Sequence, residues 1–466
     1  MSDIHLDPRY DFGREANCSG YLCCRPNVHA SGTNETEVPA PLYGAYKCDS
    51  PYYLVTGALR AAHPLTGTQP KGNCSDSKDD TLGWTIYTGD LVSHDDQNQL
   101  SREYTEYAET SIYSMLSQLI TGPIFAVLGN HDTNPEAQDA PHSLPGNLST
   151  QFSWNYDHVA GLWQNDGFID ADGASQARVH YGGYSVKNQY GLRIITLNTD
   201  FWYTANVFNY LNTTNPDNSG MLKWLIDELQ SAEDHGERVW ILGHVLSGWD
   251  GSNPLPNPTN LFYTIVERYS PHVIANAFWG HTHEDEQMIY YANNGTNRNN
   301  SQGAQDALTP GWIGPSVTPL TNLNSGFRMY EVDTATFDIY EAHTYYSPVS
   351  SFEDLDVTKS GPTFQYEYST RDAYGAAADW PSGAPLNATF WHQVTVGLQN
   401  QALAGNLTLT EQFNTFQGKS SVKSPQCNTL DCALAKVCYI RSGSNPLGRL
   451  CPTGYASVQS SFTPSS

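Results

Sequence analysis

Basic residues are scarce in this 466-residue chain, which has 23 lysines and arginines against 48 aspartates and glutamates and a net charge of −25 at pH 7. The mean electric field of such a chain repels polyanions, which disfavours general binding to nucleic acid or to an anionic membrane. We therefore expect no nucleic-acid partner. Charged residues make up only 15% of the chain and aromatic residues 12%, a composition that favours an extracellular globular protein.

Long apolar runs are absent. No run reaches the roughly 18 residues that a membrane-spanning helix needs, so we expect no transmembrane segment. The sequence opens at Met1-Ser2-Asp3 without the apolar core of a signal peptide. We expect any export signal to have been removed or to lie upstream of this sequence.

Cysteine is missing from the whole middle of the chain. The local spacing of the nine cysteines, with no histidine among them at ligand spacing, favours local disulfides over zinc ribbons and leaves Cys74 without an evident partner. The two groups are Cys18, Cys23, Cys24, Cys48 and Cys74, and Cys427, Cys432, Cys438 and Cys451.

Nine Asn-x-Ser/Thr sites point to the same compartment as the cysteines. Together they predict a protein that is secreted or that resides in a lysosome-like or vacuole-like lumen. The sites are Asn17, Asn34, Asn73, Asn147, Asn212, Asn294, Asn299, Asn387 and Asn406.

Strand-like and helix-like stretches alternate through the first 345 residues, which predicts an α/β fold. Short apolar runs bounded by Gly, Asn or Asp indicate buried strands, and amphipathic stretches between them indicate helices. The predicted strands are 84–88, 124–128, 192–197, 239–242 and 273–278, and the predicted helices are 103–120, 221–229 and 260–269. Surface loops are predicted over 134–150 and 292–310, where Gly, Asn, Pro and Ser are frequent.

The character of the sequence changes after about Ser347. Residues 352–377 are mixed, 391–416 are helix-like, and the second cysteine group follows. We predict a catalytic domain over 1–345 and a smaller C-terminal subdomain over 346–466, stapled by disulfides because it cannot bury much core alone.

Five short motifs carry residues suited to catalysis or metal binding. All but the first directly follow a predicted strand, and ligands collect where the carboxyl ends of strands enter loops. A glycine before each of the last four allows a sharp turn and close approach of the backbone. The motifs are Asp3-Ile4-His5, Gly89-Asp90, Gly129-Asn130-His131-Asp132, Gly243-His244 and Gly280-His281-Thr282-His283.

The residue types in these motifs suit a divalent transition metal. Carboxylate, imidazole and amide oxygen without thiolate are typical of Zn, Mn or Fe sites. Seven ligands are too many for one tetrahedral ion but suit two ions that share a carboxylate, for which Asp90 is the candidate. Two such ions roughly 3.5–4 Å apart can clamp a phosphoryl group during in-line displacement.

Each motif alone has an ordinary structural alternative. Asp3 and His5 could be surface residues, His244 a hydrogen-bonded core histidine, and the segment from Gly129 to Asp132 a turn. The occurrence of all five in this order, four of them at strand ends, favours the metal site.

The five motifs in order resemble the calcineurin-like metallophosphoesterase superfamily, and the residues around them resemble its acid sphingomyelinase family over essentially the whole chain. The residues that carry the resemblance are Ser2 to Asp7, Thr88-Gly89-Asp90 with His94 and Asp95, Gly129-Asn130-His131, Trp224-Leu225 with Glu228-Leu229-Gln230, Gly280 to Glu286, Ala373-Tyr374-Gly375, the Cys23-Cys24 pair and the 13-residue step from Cys438 to Cys451.

The resemblance implies a fold of two facing mixed sheets sandwiched by helices, in the order α/β/β/α, with a mainly helical C-terminal subdomain. It implies two zinc ions, the first held by Asp3, His5 and His283 and the second by Asn130, His244 and His281, with Asp90 bridging. It also implies the disulfides Cys18–Cys23, Cys24–Cys48, Cys427–Cys432 and Cys438–Cys451.

Two further histidines receive catalytic roles from the resemblance. His131 is expected to donate a proton to the leaving alkoxide, a contribution of roughly 10²–10⁴-fold for a positioned histidine. His94 either contacts the phosphate of the substrate or hydrogen-bonds a neighbour of the metal ligands, and both readings stay open.

The chain departs from the family pattern in three places. The resemblance leads us to expect an apolar strand just before Ser2 and a saposin-like helical domain ahead of the catalytic one, and the sequence as given contains neither. After His244 it has Val245-Leu246-Ser247-Gly248, where the family often shows a pair of prolines.

The leading hypothesis for function is hydrolysis of sphingomyelin to ceramide and phosphocholine by a metal-bridging hydroxide. The alternatives are hydrolysis of soluble substrates such as nucleotides or polyphosphate and, from another class, a catalytically inactive secreted binding glycoprotein. The expected partners are a phospholipid or small phosphodiester, with peripheral contact to a lipid surface, and we expect a monomer.

Overall fold

The computed structural model describes residues 1–70, 81–295 and 302–459. Its helices are α1 Tyr52–Thr66, α2 Arg102–Leu119, α3 Ser153–Asn165, α4 Ala171–Val179, α5 Met221–His235, α6 Pro256–Tyr269, α7 Phe352–Thr358, α8 Thr370–Tyr374, α9 Ala388–Leu403, α10 Thr408–Gln417, α11 Leu430–Ile440 and α12 Asn445–Gly448. Its strands are β1 Thr85–Tyr87, β2 Ile124–Ala126, β3 Ser185–Lys187, β4 Arg193–Thr196, β5 Val239–Leu242, β6 Ile274–Trp279, β7 Glu286–Tyr291, β8 Ala307–Ile313, β9 Ser325–Val332, β10 Ile339–Ser347 and β11 Gln365–Ser369.

A six-stranded sheet of order β3-β4-β5-β6-β8-β7 forms one half of the core. Strands β4, β5, β6 and β8 run parallel, and the edge strands β3 and β7 are antiparallel to their neighbours. Every residue of β5 and β6 is buried, as expected for parallel strands covered on both faces.

The other half of the core contains the parallel pair β1-β2 and the three-stranded sheet β11-β10-β9. Large aromatic rings connect the two halves, with Trp84 at 5.3 Å from Trp240 and Phe278 at 5.4 Å from Tyr330 between ring centroids. Helix α1 packs on β9, α5 on β4 and α6 on β7. The predicted four-layer α/β/β/α order is therefore confirmed.

Two sequence predictions about individual elements were wrong in part. The loop predicted over 292–310 ends in β8, where Pro310 and Gly311 stand inside a strand between β6 and β7. The single helix-like stretch predicted over 391–416 is two helices, α9 and α10, separated at Gly405 in a left-handed conformation.

The four predicted disulfides are all present: Cys18–Cys23, Cys24–Cys48, Cys427–Cys432 and Cys438–Cys451. Cys74 and the candidate glycosylation sites Asn73 and Asn299 lie outside the described residues.

The division of the chain at 345/346 stays a prediction, and strand pairing adds a structural fact to it. Strand β10 crosses that position, and β11 beyond it pairs with β10 in the sheet that contains β9. The first residues of the predicted subdomain thus belong to the core of the catalytic part.

Among the helices within 1–70, 81–295 and 302–459, each one is too short or too polar to cross a bilayer.

Candidate metal centre

The ends of four strands converge on one cluster of side chains. Asp90 follows β1, Asn130 follows β2, His244 follows β5, and His281 with His283 follow β6. The first segment of the chain runs beside the residues after β1: the backbone N–H groups of Asp3 and His5 donate to the carbonyl oxygens of Gly89 and Asp90 at 3.0 and 3.1 Å. Backbone pairing thus brings the first motif to the other four.

The first group of donors contains two carboxylates and two imidazoles. Ligand atoms of Asp3, His5, Asp90 and His283 all lie within 4.8 Å of one another, and all four residues are buried. His5 Nε2 is 3.1 Å from His283 Nε2 and 3.3 Å from Asp90 Oδ2. Such close nitrogens, with carboxylates beside them, fit one divalent cation.

The second group shares Asp90 with the first. Ligand atoms of Asp90, His244 and His281 lie within 4.8 Å of one another. His244 Nε2 is 3.0 Å from Asp90 Oδ2 and 3.1 Å from Asn130 Oδ1, and His281 Nδ1 is 2.8 Å from the same amide oxygen. Asp90 Oδ2 therefore stands between the two groups.

Backbone carbonyl groups orient three of these histidines. Nδ1 of His5, His244 and His283 lies 2.6–2.7 Å from the carbonyl oxygens of Val92, Thr88 and Leu320, respectively. A carbonyl oxygen can only accept a hydrogen bond, so each Nδ1 carries the hydrogen of its ring. The Nε2 atom of each ring then points toward the other candidate metal ligands. Such outer hydrogen bonds fix the tautomer and orientation of metal-binding histidines.

Asp90 dominates the electrostatics of the cluster. Burial alone would raise the pKa of Asp90, but the nearby positive charges of His244, His131 and His5 outweigh it and hold that pKa well below its usual range. Burial would likewise lower the pKa of His5 and His244, yet Asp90 raises these values to about 9 and about 10.

The two remaining histidines of the cluster respond in the opposite direction. Burial, with the neighbouring charge of His244, lowers the pKa of His281 to about 3. Burial and the charge of His5 hold the pKa of His283 well below its usual value. Without a bound metal ion, protons on His5 and His244 would therefore face Asp90.

Five of the seven predicted ligands have left-handed backbone conformations, which L-residues rarely adopt. The φ angles are 47° at Asp3, 43° at His5, 63° at Asp90, 73° at His281 and 64° at His283. Such conformations cluster at functional sites, where the surrounding structure holds them.

Close packing explains the glycines that precede two of the ligands. A Cβ atom on Gly129 would meet the side chain of Asp90, and one on Gly280 would lie 2.8 Å from Asp3 Oδ2. The backbone at both positions therefore approaches the carboxylates at a distance that only glycine allows.

The two predicted catalytic histidines lie beside the first donor group. The His94 ring is 3.9 Å from that of His5 and 4.3 Å from that of His131. Asp49 accepts hydrogen bonds from the backbone N–H of His94 at 2.6 Å and from its Nδ1 at 2.9 Å. Burial lowers the pKa of His94 to about 4, so neutral His94 keeps Nε2 as an acceptor.

Glu136 is the partner of His131. Its Oε1 is 3.2 Å from His131 Nε2, and Gln97 donates to its Oε2 at 2.8 Å. His131 is 8% exposed, and its Nδ1 has no hydrogen-bond partner among the described residues.

Asp132 has a role in the site that the sequence analysis did not assign. It accepts hydrogen bonds from the backbone N–H groups of Gly129 at 2.8 Å, Asp90 at 2.9 Å and Leu91 at 2.6 Å. One carboxylate thus ties the loop after β1 to the loop after β2. The position of Asp132 in the third motif was the only sequence signal for this role, whereas Asp49 and Glu136 belong to no motif that could have indicated theirs.

A cleft of 440 Å³ opens over the donors. Its walls contain no lysine or arginine among the described residues that line it. The lining residues are Tyr21, Asp90, His94, Asp95, Asp96, Gln97, Asn130, His131, Glu136, Tyr203, His281, His283 and Gln459.

Known proteins resemble this chain over most of its length. The family model described as calcineurin-like phosphoesterase matches residues 77–285. Sphingomyelin phosphodiesterase 1 of Caenorhabditis elegans is 28% identical over 97% of this chain and 71% of its own length. Sphingomyelin phosphodiesterase of Bos taurus is 30% identical over 97% of this chain and 65% of its own length. Cyclic GMP-AMP phosphodiesterase of Homo sapiens is 27% identical over 74% of this chain and 69% of its own length.

This chain therefore spans about two thirds of the length of those relatives. The family match includes the motifs after β1, β2, β5 and β6, and the similarity to the two sphingomyelin phosphodiesterases extends over the two-sheet core and the disulfide-containing C-terminal part. Residues 77–285 therefore match the calcineurin-like phosphoesterase family, and the chain as a whole is similar to the sphingomyelin phosphodiesterases.

Proposed function

We propose that this protein is a secreted two-metal phosphodiesterase that hydrolyses sphingomyelin to ceramide and phosphocholine. The observation that carries the proposal is the pair of donor groups that share Asp90 at the base of a cleft beside His94 and His131.

The donor chemistry fits two divalent cations. Asp3, His5, Asp90 and His283 would hold one, and Asp90, Asn130, His244 and His281 the other. Imidazole-rich donors without thiolate, with ring nitrogens oriented by backbone carbonyls, favour zinc. When bound, the two ions supply Lewis-acid polarisation of the phosphoryl oxygens and activation of water.

The protein's own residues would manage the leaving group. The leaving alkoxide of the lipid needs a proton, and His131 lines the cleft without being among the ligands of the two groups. Glu136 holds His131 through Nε2, and Gln97 holds Glu136, so the imidazole is presented to the cleft in one orientation. His94, fixed by Asp49, would define the wall against which the phosphate group lies.

The lining of the cleft favours a head group without net negative charge. Asp95, Asp96 and Glu136 line it together with the rings of Tyr21 and Tyr203. Aromatic faces and carboxylates attract quaternary ammonium groups, whereas carboxylates repel polyanions. Phosphocholine esters therefore suit the cleft better than polyphosphate.

The covalent features of the chain support a secretory location. Four disulfides are present, and such bonds persist in oxidising compartments. Candidate glycosylation sites are also accessible: Asn17, Asn34, Asn147, Asn212 and Asn406 are exposed.

A second candidate is hydrolysis of a soluble phosphodiester. It is favoured by the 27% identity to the cyclic GMP-AMP phosphodiesterase of Homo sapiens over 74% of this chain. The donor groups and the role of His131 would be the same, and only the contacts at the mouth of the cleft would differ.

The test is release of phosphocholine from sphingomyelin in mixed micelles at mildly acidic pH with added zinc. We expect release by the wild type and a loss of roughly 10²–10⁴-fold in kcat for His131→Ala, because the leaving alkoxide would no longer receive a proton. His235→Ala removes an exposed histidine on α5 and serves as the matched control.

Other outcomes separate the alternatives. If only a small chromogenic phosphodiester is cleaved, the soluble-substrate candidate replaces the lipid one. A protein that cleaves neither substrate and purifies with fewer than two metal ions would be a binding protein, and the proposal would be wrong.

A further inference from the structure

The loop after β6 holds two predicted ligands in strained backbone conformations. We call residues 280–284 the ligand loop. His281 and His283 have φ angles of 73° and 64°, although neither is glycine. A conformation of this kind persists only when surrounding contacts determine it. The contacts that hold the ligand loop therefore determine where His281 and His283 lie in the site.

Two residues from the C-terminal part of the chain bond to the carbonyl groups of this loop. Gln459 Nε2 donates to the carbonyl oxygen of Thr282 at 2.7 Å, and Lys419 Nζ donates to that of His283 at 2.7 Å. Lys419 is fully buried and also donates to Ser316 Oγ at 2.8 Å. The side chain of Thr321 donates to the other end of the Gln459 amide. Lys419 and Gln459 together form the carboxyl-terminal clamp.

Glu284, the last residue of the ligand loop, ties the clamp in place. It is buried, and Oε1 accepts hydrogen bonds from the backbone N–H groups of Val458 at 2.9 Å and Gln459 at 3.2 Å. Its Oε2 accepts a hydrogen bond from Gln417 Nε2 at 2.6 Å. Lys436 Nζ of α11 in turn donates to the side-chain oxygen Oε1 of Gln417 at 2.6 Å. The segment 457–459 and the ligand loop are therefore held by each other.

We infer that Lys419 and Gln459 are positioning residues for metal binding, which act by fixing the backbone of His281 and His283. This inference rests on the proposed metal centre. Neither residue is a ligand: the amide of Gln459 is used by Thr282 and Thr321, and the ammonium of Lys419 by His283 and Ser316. Without these bonds the ligand loop can relax from its left-handed conformation, and the two imidazoles leave their places beside Asp90.

The test uses Gln459→Leu and Lys419→Met in the full chain, with Co²⁺ as the probe. Binding is measured by competition with a chelator, geometry by the visible absorption of bound Co²⁺, and folding by thermal unfolding of the metal-free protein. We expect Co²⁺ affinity to fall by about 10–100-fold, as for other residues that orient ligands, together with a changed spectrum. Gln426→Leu and Lys423→Met, at exposed positions in the same part of the chain, are the matched controls.

Failure of the inference can be told from failure of the metal site itself. A wild type that binds fewer than two Co²⁺ ions contradicts the proposed metal centre, whatever the variants do. If the wild type binds two ions and the clamp variants match its affinity and spectrum, the positioning role is wrong. Should Lys419→Met fail to fold, Gln459→Leu decides alone, because its side chain is half-buried and its loss removes no charge.

Discussion

At the residue scale, protons would compete with the proposed metal ions for the same atoms. In the metal-free protein the pKa of His5 is raised to about 9 and that of His244 to about 10, because Asp90 outweighs the effect of burial. A folded-state pKa above the usual 6.5 stabilises the fold at pH below 6.5, and this contribution is lost as the pH rises through 9 and 10. The protonated imidazoles would thus supply the positive charge that bound metal ions would otherwise bring.

This competition predicts that metal binding releases protons. A histidine must be neutral to bind a metal, so filling both positions at pH 7 should release about two protons per protein, and affinity should fall as the pH falls. The measurement is a titration with Zn²⁺ in weak buffer with an indicator dye. Addition of Zn²⁺ to the same buffer without protein is the control, since it measures the protons released by hydrolysis of the ion alone. Binding at pH 7 without proton release would contradict the assigned protonation.

At the scale of the elements, the sequence predicted the strands and helices whose local residue pattern favours the same structure as their packing in the fold. The runs over 239–242 and 273–278 are confirmed as β5 and β6, because short apolar runs bounded by polar residues favour a buried strand. Helix α1 was missed because Gly57 and Pro64 lie inside it, and packing overrides their low helix propensity.

The site follows the same rule as the elements. Four of its motifs follow strands, so strand prediction alone was enough to expect their convergence. Asp49 could not be found in this way, because its importance lies in a hydrogen bond to His94, which is 45 residues away in the sequence. Contacts of that kind depend on the folded backbone and leave no local pattern.

Two glycines within helices give a matched test of the packing around them. On Gly161 of α3 an added Cβ would meet nothing within 4 Å, whereas on Gly397 of α9 it would lie 2.6 Å from the carbonyl oxygen of Ala377. We expect Gly161→Ala to stabilise the fold by about 0.5–1 kcal/mol, because alanine restricts the unfolded chain and favours helix. Gly397→Ala should destabilise it. Urea unfolding at constant metal content measures both, and an equal response of the two variants would contradict the packing of α9.

At the scale of the whole molecule, charge separates the protein from anionic surfaces. The net charge is −25, and four carboxylates, those of Asp90, Asp95, Asp96 and Glu136, line the cleft without a lysine or arginine among its described lining residues. The protein would therefore approach a lipid substrate against a repulsive electric field whenever the surrounding lipids are anionic.

This repulsion predicts how hydrolysis depends on the lipid surface. Sphingomyelin in zwitterionic vesicles should be cleaved faster than sphingomyelin diluted with anionic phospholipid, and added salt should narrow the difference because the screening length falls from about 10 Å at 0.1 M to about 3 Å at 1 M. Phosphocholine release at several salt concentrations measures the effect. A soluble phosphodiester assayed in the same buffers controls for direct effects of salt on the site. Faster cleavage on anionic vesicles would show that a local basic surface, rather than the net charge, governs the approach.

The left-handed conformations of Asp3, His5, Asp90, His281 and His283 have a consequence for evolution and engineering. Each such residue costs roughly 1–2 kcal/mol relative to a glycine in the same place. Selection for thermal stability alone would therefore reward glycine at these five positions and would remove five of the predicted metal ligands in doing so. A library designed to make this protein more stable should keep these five codons constant and vary other positions. At these five positions, the substitution that would stabilise the fold would also remove a side chain that the proposed activity needs.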